Sequence, residues 1–239
     1  MKSKNIIQTK ILIVDDHPIF RMGMRELINQ EEDFTVCAVA ADISEARRVL
    51  ATDAPDMAII DITLAEDNGL DLVKEISRSD KNIPMLVLSM HEESVWAERA
   101  IRSGARGYIM KKEASESVIS ALRTIHAGKI HVSSNMVALL LNKLQDNPNC
   151  RGASTMDILT DRELEVFRLI GAGMSTREIA GQLSLGIKTI GTYRDRIKQK
   201  LGLKNGAELT RRAVLWTTNE CFQTGRHARS SRYGKKQAP

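Results

Sequence analysis

Short apolar runs that each end on a polar residue recur through the first half of this chain. The run Met57–Ile60 contains no polar residue and ends on Asp61, and the run Ile11–Val14 ends on Asp15 and Asp16. Runs of this length without alternation are typical of strands buried on both faces of a parallel sheet. With further candidates at 34–40, 85–89 and 107–110, the pattern predicts five strands.

Helical patterns separate these strands. We predict helices at 18–29, 42–50, 70–78, 93–102 and 116–127. Pro18 suits a first helical turn, and Asp42 and Glu45 have the spacing of a capping box. Gly104 and Gly128 suit helix C-termini. Five strands alternating with five helices predict βαβ units, and therefore a doubly wound α/β domain with helices on both faces of a parallel sheet.

Parallel strands bring their carboxyl ends to one edge of the sheet, where ligands bind in folds of this class. The polar residues at such ends are Asp15, Asp16, Asp61, Ser89 and Lys111. Adjacent carboxylates repel each other unless a cation joins them, and an oxygen-rich acidic set suits Mg²⁺. A hydroxyl and an ammonium complete a site for phosphoryl oxygens, so the set predicts an aspartyl phosphate with Asp61 as nucleophile. Taken singly, the acids also fit helix caps or strand-end turns.

This arrangement resembles the receiver domain of bacterial two-component response regulators, over residues 10–129. The resemblance implies a flavodoxin-like fold, Mg²⁺ as cofactor, and a sensor histidine kinase as the phosphoryl donor. A receiver catalyses only its own phosphorylation and dephosphorylation, so we do not expect an enzyme. The resemblance also implies metal ligation by Asp15, Asp16, Asp61 and the backbone carbonyl of Thr63, phosphoryl contacts by Ser89 and Lys111, and a switch formed by Ser89 and Tyr108.

Two positions depart from the usual receiver pattern. Ala65 stands four residues after the acceptor, where the family usually has proline, and an acidic pair, Glu66 and Asp67, follows it. Lys112 follows Lys111, where many receivers have proline. Neither change removes a reactive group, but both leave open the rigidity of the loops and the lifetime of the phosphate.

The two halves of the chain carry opposite charge. Residues 10–128 contain 14 Lys+Arg against 21 Asp+Glu, and residues 129–239 contain 19 against 9. A basic second half predicts a polyanionic partner. From Gln145 the chain becomes polar and rich in turn formers, which marks a domain boundary.

The second half carries repeated helix-start patterns. Thr160–Glu163 and Ser175–Glu178 have capping-box spacing, and Ser184–Gly186 is long enough only for a tight turn. A third helix at 187–201 ends at Gly202, and a fourth begins near residue 205. Two helices joined by a three- or four-residue turn, the second one basic, predict a helix-turn-helix.

Helical geometry divides the third helix into two faces. The core face carries Ile187, Ile190, Ile197 and Leu201. The opposite side and its flank carry Lys188, Thr189, Gly191, Thr192, Tyr193, Asp195, Arg196, Gln199 and Lys200. These groups suit phosphate contacts and base edges, although an ordinary solvated face remains an alternative.

The segments Leu159–Val166, Ser175–Ala180 and Lys188–Arg194 resemble the LuxR-type helix-turn-helix of the NarL/FixJ class of response regulators. The resemblance covers residues 157–218. It implies a homodimer in the active state, through a surface at 207–216, that binds a two-fold promoter site in double-stranded DNA, with RNA polymerase as a further partner. The DNA-binding residues we predict on this basis are Lys188, Thr189, Thr192, Tyr193, Asp195, Arg196 and Lys200.

A length of 239 residues suits two domains. No apolar stretch approaches the ~20 residues of a membrane span, so we expect a cytoplasmic protein without a membrane partner. Three well-separated cysteines, Cys37, Cys150 and Cys221, are expected to be free thiols. The predicted organisation is a receiver domain at 10–129, a part-helical linker at 130–156, a helix-turn-helix domain at 157–218 and a basic disordered tail at 222–239.

These patterns together predict a transcriptional regulator controlled by phosphorylation of Asp61. One alternative is a DNA-binding protein whose atypical receiver is never phosphorylated. Another is an aspartyl-phosphate phosphohydrolase with an accessory domain, but the sequence offers neither the separate acid/base carboxylate nor the substrate cap that such an enzyme needs.

Overall fold

A computed structural model of the protein describes residues 8–64, 67–79, 81–90, 93–138, 156 and 158–230. The chain divides into two compact units, Met1–Cys150 and Arg151–Pro239. No helix within the described residues is long and apolar enough to cross a membrane.

A five-stranded parallel sheet forms the centre of the first unit, as predicted. Its strands are β1 (Thr9–Val14), β2 (Phe34–Ala40), β3 (Met57–Asp61), β6 (Met85–Ser89) and β7 (Gly107–Met110). They lie in the order β2-β1-β3-β6-β7. The five predicted strands are confirmed. An uninterrupted apolar run is stable as a strand only where both of its faces are covered, as they are in this sheet.

Five helices alternate with these strands. They are α1 (Pro18–Asn29), α2 (Ile43–Thr52), α3 (Gly69–Arg78), α4 (Glu93–Ser103) and α5 (Ala114–His126). Buried side chains of α1 and α5 pack with alternate residues of the central strands in one core cluster. The other residues of those strands are equally buried, as a sheet covered on both faces requires.

Local details of the first unit differ from the predictions in two places. A short antiparallel hairpin, β4 (Thr63–Leu64) with β5 (Asp67–Asn68), lies between β3 and α3, where the sequence predicted no strands. Strands of two residues are too short to show a pattern. The capping box at α2 is half formed, because the Asp42 side chain accepts from Glu45 N but Glu45 Oε2 accepts from Ala41 N at 2.8 Å. Ala65 and Glu66 lie outside the described residues.

The start of the predicted linker lies against the first unit. His131 pairs beside Gly107, with His131 N donating to Arg106 O and Tyr108 N donating to His131 O, both at 2.9 Å. Ser133 N donates to Glu93 Oε1 at 2.8 Å. A helical turn occupies 134–138, while most of the remaining linker, with Cys150, lies outside the described residues. The linker therefore begins as an addition to the edge of the sheet at β7.

Four helices lie within the described residues of the second unit. They are α6 (Asp161–Gly171), α7 (Thr176–Gln182), α8 (Ile187–Leu201) and α9 (Gly206–Ser230). Both predicted capping boxes are present, at Thr160 and at Ser175. The turn between α7 and α8 is short, and α8 ends at Gly202 with a φ of 66°. This is the predicted helix-turn-helix arrangement.

Two predictions for the second unit are wrong. Ile187 was placed in the core, but its exposed fraction is 51%, because it occupies the first turn of α8 at the end of the helix. The tail at 222–239 was predicted to be disordered, but α9 includes 222–230. Residues 222–230 contain no proline. Extending an existing helix orders only one further residue for each hydrogen bond gained, which favours its continuation. Residues 231–239 lie outside the described chain.

Candidate functional site

The carboxyl edge of the sheet gathers the predicted acidic residues. Asp15 directly follows β1 and Asp61 ends β3, and these strands pair with Val14 opposite Ile60. Parallel register therefore fixes the two aspartates side by side. Ligand atoms of Asp15, Asp16, His17 and Asp61 all lie within 4.8 Å of one another. Asp15 and Asp61 are buried, while Asp16 and His17 are nearer to solvent.

Lys111 reaches this acidic cluster from the far edge strand. Its Nζ lies 2.6 Å from Asp61 Oδ2 and 2.7 Å from Asp15 Oδ2, and only 5% of its side chain is exposed. The residue directly follows β7, which is separated from β3 by β6. Ser89 ends the intervening strand β6 and is fully buried. Four strands thus each supply one predicted side chain to the same edge.

Burial and charge set the protonation of this cluster. Burial raises the pKa of Asp61 to about 7, and the negative charge of Asp15 adds to this shift while Lys111 opposes it. Burial disfavours the charged form of Lys111, but the two carboxylates outweigh burial and raise the pKa of the ammonium. A further cation would therefore stabilise the ionised form of Asp61.

The donor set fits a hard divalent cation. Asp15, Asp16 and Asp61 offer carboxylate oxygens, the ligand type that Mg²⁺ prefers. His17 directly precedes α1, and its backbone N donates to Asp15 Oδ1 at 2.8 Å. Its Nδ1 lies 2.7 Å from Asp16 Oδ1. The structure is thus compatible with metal binding, and His17 orients the acidic pair.

The β3–α3 connection closes tightly over Asp61, which the sequence did not reveal. A Cβ on Gly69 would lie 1.8 Å from the Asp61 carbonyl oxygen, and Gly69 N donates to Ile62 O at 2.8 Å. Thr63 N donates to Asp61 Oδ1 at 3.3 Å. The Asn68-Gly69 pair marks the start of α3, since the Asn68 side chain accepts from Leu70 N. That local pattern predicts a helix start but not the close approach to Asp61.

The first turn of α1 adds a second layer to the site, which the sequence also did not reveal. The ring of Phe20 lies under Lys111, with Nζ 4.7 Å from the ring centroid. The guanidinium of Arg21 donates to the backbone carbonyl of Asp15. The predicted switch residue Tyr108 is buried on β7, where its backbone pairs with His131.

The exposed face of α8 carries most of the predicted DNA-contacting residues. Lys188, Thr189, Thr192, Asp195, Arg196 and Lys200 are exposed, and Tyr193 is half-buried. Ile190 and Ile197 are fully buried, as predicted for the core side. The helix therefore combines an apolar core side with a polar face toward solvent.

Two members of this set form ion pairs on the protein. Lys200 Nζ lies 2.6 Å from Glu163 Oε2, and Glu163 is the buried residue that closes the capping box of α6. Asp195 Oδ1 lies 2.9 Å from Lys198 Nζ on the same helix. The ammonium of Lys200 therefore joins α8 to α6, and its contact with DNA stays a prediction. Asp195 is neutralised locally, which reduces its repulsion of phosphate.

Two protein families match separate parts of the chain. The response regulator receiver domain matches residues 11–123. The luxR family of bacterial regulatory proteins matches residues 157–213. The oxygen regulatory protein NreC of Staphylococcus carnosus is 34% identical over 209 residues, which are 86% of this chain and 96% of that protein. NreC of Staphylococcus aureus matches over the same shares.

Two solved structures resemble this chain over different shares of its length. RcsB of Salmonella enterica serovar Typhimurium, bound to the promoter rprA with a phosphomimetic, has a TM-score of 0.55 and 26% identity. That match covers 85% of this chain and 97% of the RcsB chain. A LuxR-family response regulator from Aurantimonas sp. has a TM-score of 0.54 and 32% identity, covering 58% of this chain and 99% of its own.

Proposed function

The chain belongs to the two-component response regulators that join a receiver domain to a LuxR-type helix-turn-helix domain, and we propose that phosphorylation of Asp61 controls its binding to DNA. A receiver domain implies a histidine kinase as the phosphoryl donor. The observation that carries the proposal is the buried Asp61 carboxylate, 2.6 Å from Lys111 Nζ and beside the Asp15 carboxylate. The Asp61 carboxylate offers a nucleophilic oxygen, and the Lys111 ammonium beside it offers a cation for the transferred group.

In the proposed reaction, a carboxylate oxygen of Asp61 bonds to phosphorus while the bond from phosphorus to the kinase's histidine nitrogen breaks. The bonding pair stays on the imidazole, which takes up a proton. Lys111 then pairs with a phosphoryl oxygen, and the Ser89 hydroxyl donates to another. Mg²⁺ held by Asp15, Asp16, Asp61 and the Thr63 carbonyl would offset the charge of those oxygens. Hydrolysis of the phosphoryl group from Asp61 is the only turnover we propose.

The switch we propose runs along β7. Ser89 moves toward the phosphoryl group, and Tyr108 moves into the space that Ser89 leaves. The backbone of Tyr108 bonds to His131 at the start of the linker, so a shift of β7 reaches the chain that leads to the second unit. Phosphorylation biases an existing equilibrium of the receiver, which frees or dimerises the helix-turn-helix domain.

For the DNA complex, we propose that the exposed face of α8 enters the major groove and that two copies span a two-fold site. The contacting residues we propose are Lys188, Thr189, Thr192, Tyr193, Asp195, Arg196 and Lys200. A similar solved structure contains two RcsB dimers bound to DNA, which supports a dimer for this chain as well. We propose RNA polymerase as a further partner and the cytoplasm as the location of the protein. The domain bounds we propose are 10–129 for the receiver and 157–218 for the DNA-binding domain.

Incubation of the full chain with a small phosphoryl donor and Mg²⁺ tests the central step. Intact mass spectrometry should show a gain of one phosphoryl group on the wild type and none on Asp61→Asn. A wild type that gains no phosphoryl group would favour the alternative of an atypical receiver that is never phosphorylated. Ala65, in place of the usual proline, is the feature that raises this alternative. An equal gain in the variant would place the phosphoryl group elsewhere. Steady hydrolysis of a chromogenic phosphate ester would instead favour a phosphohydrolase.

A further inference from the structure

Lys111 carries its charge a long way from its own backbone. The residue follows the edge strand β7, yet its Nζ lies between Asp61 on β3 and Asp15 beyond β1. Its side chain extends across the end of β6 to do so. A lysine stem has four rotatable carbons, so this one position of the ammonium depends on the groups that hold its end.

Among the residues that the structure describes, three groups hold that end. Two are the carboxylates of Asp15 and Asp61, and the third is the face of the Phe20 ring, 4.7 Å below Nζ. An ammonium within about 6 Å of an aromatic ring centroid is attracted by the electrons of the ring face, and more strongly where water is excluded. The Lys111 side chain is almost completely buried, which is the favourable case.

The three anchors differ in what happens to them during the proposed reaction. The Asp61 oxygens serve as the phosphoryl acceptor, and Asp15 and Asp61 are the proposed metal ligands. Both carboxylates therefore have competing partners in the reactive state. Phe20 has none, because a phenyl ring accepts neither the metal nor the phosphoryl group. It is the anchor that stays available to Lys111 throughout.

From this geometry we infer that Phe20 is a positioning residue for phosphorylation, holding the Lys111 ammonium over the acceptor through the electrons of its ring face. The inference rests on the proposed phosphorylation of Asp61. Phe20 also packs against the core formed by α1, α5 and the sheet. A purely apolar role would depend on the shape of the ring and not on its electrons, and the two roles can be separated.

Fluorinated phenylalanines separate them, because ring fluorines weaken cation binding and change the ring shape little. The full chain is prepared with one, two or three fluorines on the ring at position 20. Its rate of phosphoryl gain from acetyl phosphate with Mg²⁺ is followed by intact mass. We expect the rate to fall stepwise, by roughly tenfold across the series, while the thermal midpoint falls by at most about 5 °C. Phe20→Trp should keep the rate and Phe20→Leu should lose it.

Phe34 provides a matched control. It is buried in the same core, and its ring also faces a cation, with Arg123 Cζ 5.9 Å from the ring centroid, but it lies outside the acidic cluster. Fluorines on Phe34 should leave the phosphorylation rate unchanged. Equal rates across the Phe20 series, in a chain that does gain a phosphoryl group, would overturn this inference alone. A chain that gains none would overturn the proposed function and this inference with it.

Discussion

The acidic cluster of the first unit and the basic face of α8 carry their charges in opposite surroundings. The side chains of Asp15, Asp61 and Lys111 are buried, and Lys111 Nζ lies within 2.7 Å of both carboxylates. Lys188 and Arg196 are exposed. A buried charge without its partner stays desolvated, so the members of such a cluster depend on one another. Exposed charges are screened by salt and contribute separately. We therefore expect large, coupled effects at the first site and small, additive effects at the second.

The largest expected effect comes from removing the cation of the buried cluster. Lys111→Met leaves two buried carboxylates without their ammonium, and we expect the free energy of unfolding at pH 8 without Mg²⁺ to fall by about 3–5 kcal/mol. Urea denaturation measures this change. Adding Asp61→Asn should restore part of the loss, because one of the carboxylates is then neutral. Lys112→Met, at the exposed neighbouring position, should have little effect.

Equal stability of Lys111→Met and the wild type would show that the cluster is not held by its charges. The expectation of large, coupled effects at the buried cluster would then be wrong.

The next effect is steric and tests how closely the β3–α3 connection approaches the acceptor. Gly69→Ala places a methyl group 1.8 Å from the Asp61 carbonyl oxygen, and we expect a loss of about 1–3 kcal/mol of stability together with slower phosphorylation. Gly23→Ala is the control, because a Cβ there meets nothing within 4 Å and the position lies within α1. That variant should be as stable as the wild type or more so. A harmless Gly69→Ala would contradict the tight closure.

A smaller effect is expected at the base of α8, where Glu163 pairs with Lys200. Glu163→Gln keeps the capping-box acceptor but removes the charge, which should cost about 0.5–1.5 kcal/mol at pH 7 because solvent partly screens the Lys200 ammonium. Burial opposes ionisation of Glu163, but the bonds from Lys200 and Thr160 outweigh it and lower its pKa. The unfolded chain then binds the proton more readily, so this stabilisation is present above pH 4.5 and is lost as the pH falls through the folded-state pKa.

The difference in stability between Glu163→Gln and the wild type should therefore vanish in acid. Glu178→Gln is the matched control, because Glu178 closes the same kind of capping box at Ser175 in an exposed position. Its effect should be smaller and nearly independent of the Lys200 charge. A Glu163→Gln difference that persists at low pH would contradict the ion pair as its cause.

The smallest energetic effect is expected on the exposed face of α8. Lys188→Gln should weaken DNA binding to the same degree at all sequences and reduce the slope of log K against log salt concentration by about 0.9 for each phosphate that is no longer neutralised. Binding measured at several salt concentrations gives this slope. Lys112→Gln, an exposed lysine of the first unit, should leave it unchanged. An unaltered slope for Lys188→Gln would remove this lysine from the DNA interface.

The sequence predicted those features that local patterns determine. The apolar runs gave the five strands and their ends, and strand-end placement then brought Asp15, Asp61, Ser89 and Lys111 to one edge. The capping boxes at Thr160 and Ser175 gave the starts of α6 and α7 for the same reason, since each box is made within four residues. Parallel register converts these local facts into a site.

The features that the sequence did not reveal depend on distant contacts. Phe20 and Lys111 meet only because the sheet is folded, and each is an ordinary residue within its own segment. The pairing of Lys200 with Glu163 joins α8 to α6, which are far apart in the sequence. The need for glycine at position 69 arises from the Asp61 carbonyl eight residues earlier. No periodicity or capping pattern records such approaches.

Coupling between the two sites is the central claim, and the affinity of the full chain for genomic DNA fragments, before and after treatment with acetyl phosphate and Mg²⁺, tests it most directly. We predict that phosphorylation tightens wild-type binding by about 5- to 150-fold and leaves the affinity of Asp61→Asn unchanged. Equal affinity of the phosphorylated and unphosphorylated wild type, or the same gain in Asp61→Asn, would contradict the account.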